Sequence, residues 1–71
     1  MNSVLLKEKR QQKGITQTQM GKKLNYSGKT GYSMLESGKV KITLEKAYKI
    51  KEILDLTDDE FHLIFSEEKS K

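Results

Sequence analysis

The sequence predicts an all-α fold, a compact bundle of five short helices. Three observations carry this reading. There is no proline in the 71 residues, and the good helix formers Lys, Glu, Gln and Leu recur throughout. No stretch of Val, Ile, Thr and aromatic residues alternates with polar ones over the length of a strand. Helix punctuation, finally, is clear and repeated along the chain.

Taken in order, Ser3 is placed to cap a first helix that ends at Gly14, a residue suited to a left-handed terminator. Thr16-Gln17-Thr18-Gln19 has the form of a capping box and opens a second helix. That helix ends near Leu24, and Asn25 tolerates the left-handed turn that bulkier residues resist. A third helix runs from about Ser27–Lys29 to Ser37 and is closed by Gly38. Thr43 caps a fourth through Leu54, with Leu44, Ala47, Ile50 and Leu54 as its apolar stripe and Lys51 at the stripe's edge, able to snorkel to water. Thr57-x-x-Glu60 is a second capping box and opens a fifth helix. There Phe61, Ile64 and Phe65 follow the spacing of one buried stripe, while Leu63 points elsewhere.

Length and composition allow one small domain, assigned to residues 1–66, followed by a frayed charged tail at 67–71. The absence of cysteine excludes disulfides and thiolate zinc sites. The single histidine, His62, cannot form a His-rich metal site or pair with a cysteine nucleophile. Asp58-Asp59-Glu60 matches the dipole of a first helical turn rather than a metal site. Gly28-Lys29-Thr30-Gly31 echoes a phosphate-binding loop, but Lys23 stands where that motif needs its earlier glycine. The spacing of Gly14, Gly21, Gly28 and Gly38 hints at a repeat that the intervening residues do not support. No nucleophile–base pair or metal-ligand set is visible, so the expectation is no enzyme, no catalytic residues, no metal, no cofactor and no small-molecule substrate. No apolar run approaches a membrane span, and Met1–Lys13 lacks a signal peptide's apolar stretch. A soluble, cytoplasmic protein with no membrane partner is expected.

Charge is unevenly distributed. Residues 1–51 hold 12 basic residues against three acids, whereas residues 52–71 hold two against seven. A basic body with an acidic end suits a polyanion-binding face, although a Lys-rich solubilising surface accounts for the same numbers.

The second and third helices are both short and are separated by a tight turn. Gly21 lies midway along the former, where the lack of a side chain lets another element approach closely. That is the layout of a helix-turn-helix, in which the first helix supports and the second enters the DNA major groove. The residues Arg10, Gly14-Ile15-Thr16-Gln17, Met20-Gly21, Leu24, Leu35-Glu36-x-Gly38-Lys39, Leu54-x-Leu56 and Asp59-Glu60-Phe61 follow in a specific order and spacing. In these the chain resembles the phage repressor/Cro-like helix-turn-helix family, over roughly Leu6 to Phe61. Three departures stand out. One extra residue lies between Leu24 and Glu36, Lys51 replaces a buried alanine, and Gly31 interrupts the third helix at a cost of about 1 kcal/mol in propensity.

The resemblance implies a sequence-specific operator-binding regulator, a Cro-like repressor or genetic-switch modulator, with the recognition helix at about Lys29–Ser37. On a helical wheel, Gly28, Gly31, Tyr32 and Leu35 share one side. Lys29, Thr30, Ser33 and Met34 share the other with Ser37, and these four are the expected base contacts, by hydrogen bonds to guanine and other bases and by methyl contact with thymine. Phosphate contacts are expected from Gln17 at the start of the second helix, from Ser37, from Lys39 and Lys41 in the following loop, and from Lys22. The family also implies an ion pair between Arg10 and Glu36. Operator readers of this family commonly work as dimers, so homodimerisation on double-stranded DNA is expected, with Leu63 and Phe65 as interface residues. The alternative is a protein-binding modulator, an antirepressor that sequesters another phage repressor through its apolar last helix or basic face. An antitoxin-type module is a third reading; such modules usually carry an added partner-binding segment, and the tail here is only a few charged residues long.

Overall fold

The computed structural model describes residues 1–65, so the expected domain boundary at 66 and the tail at 67–71 lie outside the described residues. Helices α1 (Ser3–Gln12), α2 (Gln17–Lys23), α3 (Lys29–Glu36), α4 (Leu44–Leu54) and α5 (Asp58–Phe65) follow one another through short connections, and the described residues contain no strand. The principal extents are 31 × 23 × 20 Å.

The helix starts are set by side-chain caps. Both expected capping boxes form: Thr16 Oγ1 accepts from Gln19 N at 3.1 Å while Gln19 Oε1 accepts from Thr16 N at 2.8 Å, and Thr57 and Glu60 do the same at 3.1 and 2.9 Å. Thr43 Oγ1 accepts from Lys46 N at 3.2 Å. The first cap differs from the expectation, being Asn2 rather than Ser3. Asn2 Oδ1 accepts from Leu5 N at 3.1 Å, and its own N–H donates to Ile64 O at 2.7 Å. The second bond decides the choice, because it clasps the start of the chain onto α5.

Four helices end alike. The N–H groups of Ile15, Tyr26, Lys39 and Leu56 reach back to the carbonyls of Arg10, Gly21, Met34 and Lys51, the 6→1 bond of a Schellman ending. Each bond needs a left-handed residue just before its donor: Gly14 (φ 71°), Asn25 (φ 67°), Gly38 (φ 84°) and Asp55 (φ 53°). The first three match the sequence reading, and Asp55 adds a residue type that tolerates this region.

The core is Leu6, Met20, Leu24, Tyr32, Leu35, Ala47, Ile50, Leu54, Leu56, Ile64 and Phe65. Two expectations change here. Leu44 is 67% exposed, because the first position of α4 lies before the helix reaches the core. Phe65 is buried in the core, where its ring packs at 5.0 Å on Phe61, which stacks on Tyr48 at 5.2 Å. Phe65 is thus removed from the surface expected to form an interface, whereas Leu63 is 62% exposed. Lys51 is half-buried, with Nζ 3.1 Å from Asp58 Oδ1, and a Lys9–Glu60 pair at 2.7 Å ties α1 to α5.

Candidate nucleic-acid interface

The site is built on α2, the turn after it, and α3. Gly21 makes their close approach possible: a Cβ there would lie 2.6 Å from the Gly28 carbonyl oxygen. The backbone at the start of α3 therefore rests directly on α2.

One face of α3 is locked inward by a polar cluster. Glu36 accepts from Arg10 Nε at 2.8 Å and Nη2 at 3.4 Å, from Gln17 Nε2 at 2.9 Å and from the Tyr32 hydroxyl at 2.9 Å. Arg10 Nη1 also donates to Ile15 O at 2.7 Å. The carboxylate thus collects donors from α1, α2 and α3 in a site where Arg10 and Glu36 are both buried. Burial alone pushes the Glu36 carboxyl up, but bonds from Arg10, Gln17 and Tyr32, with the arginine's charge, hold it below the usual carboxylate range. Burial and the neighbouring carboxylate push the Tyr32 hydroxyl far above its ordinary value, so it stays a donor. Among the described residues, every buried side-chain polar atom has a partner.

The opposite face of α3 is turned outward. Lys29, Thr30, Met34 and Ser37 are exposed and Ser33 is half-buried, so the expected base-reading residues share one solvent-facing front. Two open grooves flank it. One, of about 490 Å³, has Lys7 and Gln11 of α1, the cap residue Thr16, Gln17 and Thr18 of α2, and Lys29 of α3 among its lining. The other, of about 410 Å³, runs between the chain start and the loop after α3, and Ser37, Lys39 and Lys41 line it. Lys22 is exposed on α2 and lines neither groove.

Two corrections concern individual side chains. Gln17 donates an amide N–H to Glu36 at 2.9 Å, so its side chain is turned toward the buried carboxylate rather than held outward for a phosphate. Ser37 Oγ donates to Met34 O at 3.1 Å, so its hydroxyl is already engaged locally. Sequence reasoning missed Lys7, whose position three residues before Arg10 puts it one helical turn away on the same side. It also missed Tyr26, whose ring contacts α3 and α4.

No helix among the described residues is long and apolar enough to cross a membrane, and no group of three or more His, Cys, Asp or Glu there could hold a metal. Comparison with known proteins agrees with the fold. The family model described as "Helix-turn-helix" matches residues 6–61. No curated protein and no solved structure gives a significant match. The five-helix architecture, the α2–turn–α3 unit and this match over most of the chain assign it: the protein belongs to the helix-turn-helix family of the repressor and Cro type, a family of DNA-binding transcription regulators.

Proposed function

We propose that the protein is a sequence-specific operator binder, a small Cro-like repressor or genetic-switch modulator that works without catalysis or cofactor. The carrying observation is the division of α3 into a face locked by Tyr32, Leu35 and Glu36 and a front of exposed Lys29, Thr30 and Met34 with Ser33 beside them. In this reading α3 enters the major groove, where Lys29 donates to guanine, Thr30 and Ser33 bond base edges, and the Met34 methyl meets thymine. Lys39 and Lys41 grip one stretch of phosphates, and Lys7 beside the first groove grips another, with the Gln17 backbone at its rim. Lys22 adds general attraction. Pairing of two copies on a two-fold site uses Leu63, the most exposed large apolar residue of α5.

That same leucine favours one second reading, an antirepressor whose α5 binds another regulator. Selection from a pool of random duplexes separates the two. A single enriched sequence, with affinity that falls steeply as salt rises, supports operator binding, because neutralised phosphates release counterions. No enrichment, together with tight 1:1 binding to another repressor, supports the alternative.

A further inference from the structure

The turn between α2 and α3 contains Tyr26. The backbone N–H of Tyr26 donates to Gly21 O at 2.8 Å, which fixes the residue to the end of α2. Its ring lies across Gly31. A Cβ at that glycine would sit 2.6 Å from Tyr26 Cδ1, 3.0 Å from Cγ and 3.2 Å from Cε1. The two nearest atoms, Cδ1 and Cγ, form the root of the ring, so little side-chain freedom is left to absorb a clash. From α4, the Lys46 ammonium lies over the ring at 5.0 Å from its centroid. One aromatic side chain therefore touches α3 and α4 while its backbone is tied to α2.

Gly31 is a poor helix residue in the first turn of the helix proposed to read bases, and the Tyr26 ring occupies the space its side chain would fill. It stands between outward Thr30 and buried Tyr32. Any shift of α3 at this point moves Lys29 and Thr30 relative to whatever they touch.

We propose that Tyr26 is a positioning residue for the reading face: a wedge that sets the placement of α3 against the body and thereby the sequence selectivity of the protein. The selectivity half rests on the operator-binding reading above; the wedge itself does not. Loss of the ring lets α3 settle in more than one placement, which degrades base reading while leaving the lysines that meet phosphate in number and charge.

The test has two arms. In the first, the native protein, Tyr26→Phe, Tyr26→Leu and Tyr26→Ala are titrated against a site selected from random duplexes and against random duplex itself, with folding checked by circular dichroism. The ratio of the two affinities falls about tenfold for Tyr26→Ala and Tyr26→Leu, on the scale of one lost base contact. It is kept by Tyr26→Phe, and the slope of log affinity against log salt is unchanged in all four. In the second arm, Gly31→Ala is made with and without Tyr26→Ala, and the folding equilibrium is measured by urea denaturation. Gly31→Ala lowers the folding constant when the ring is present. It raises that constant about fivefold when the ring is absent, because alanine then restores helix propensity without a clash.

Unchanged selectivity in Tyr26→Ala overturns the selectivity half. A gain from Gly31→Ala in both backgrounds overturns the wedge. A native protein that enriches no sequence overturns the operator reading and the selectivity half with it, while the urea arm still decides whether the ring sets the helix.

Discussion

Replacing Arg10 by alanine removes the strongest single tie between the scaffold and α3. The side chain is 6% exposed and its partner Glu36 is 4% exposed, so the pair is a buried one. The substitution deletes two bonds to the carboxylate and the bond to Ile15 O. Breaking a buried pair by removing one partner costs about 3–5 kcal/mol, since the remaining charge stays in a poorly solvated place. Here Gln17 and Tyr32 still donate to Glu36, each at 2.9 Å, which places the expected loss near the lower end, at about 3 kcal/mol. A domain of this size has a total stability of about 4–10 kcal/mol, so a third or more would go. Thermal denaturation followed by helical circular dichroism should show the midpoint down by about 12–24 °C. Arg10→Lys keeps the charge but loses the planar fork, and should fall between the two. A loss below about 1 kcal/mol for Arg10→Ala would mean that the pair behaves as a solvated surface one, and the locked face of α3 would need another explanation.

Three further outcomes follow from the same geometry. Glu36 is held below its ordinary value of 4.5, so its ionised form stabilises the fold above that pH and this contribution disappears as pH falls through the lower folded value. Denaturation midpoints of the native protein should therefore drop on acidification below about pH 4.5, and Glu36→Gln should flatten the curve; parallel curves would assign the acid sensitivity elsewhere. Leu63→Glu should weaken self-association in analytical ultracentrifugation with DNA present while leaving the thermal transition nearly unchanged, because the side chain is 62% exposed; marked unfolding would return Leu63 to the core. Gly21→Ala should destabilise by about 1–3 kcal/mol despite its better helix propensity, because its Cβ meets backbone at 2.6 Å. A more stable Gly21→Ala protein would show that the turn gives way freely.

What the sequence revealed and what it concealed divide along the range of the interactions. Capping boxes at Thr16 and Thr57, and left-handed endings at Gly14, Asn25 and Gly38, are local chemistry and are visible in a few consecutive residues. The two faces of α3 follow from helical periodicity, and they are as a wheel places them, with Glu36 added to the inward side. The Arg10–Glu36 pair came from the family resemblance, since nothing local joins residues so far apart in the chain. Asn2 and Ser3 are both good caps, and the choice fell to a bond reaching Ile64 on α5. Leu44 fits the apolar stripe by spacing but stands too early in α4 to reach the core, while Phe65 keeps to the buried stripe its spacing indicates and is lost to the interface also expected of it. Gln17, Tyr26 and Lys7 have their roles through contacts or grooves shared by different helices, which no window of sequence contains.

Whether α3 reads bases while the lysines around it hold phosphate is decided by two alanine substitutions at exposed positions. Lys29→Ala and Lys39→Ala are titrated against a selected duplex, its single-base variants and random duplex, each over a range of salt. Lys29→Ala should relax the preference at one base pair by about 1–3 kcal/mol, at a guanine, and leave the other positions as they were. Lys39→Ala should weaken all sequences about equally and shallow the salt slope by about one unit. If both variants weaken every duplex alike, Lys29 is a counter-charge and α3 is not the reading element; if neither changes DNA binding, the basic face serves some other partner.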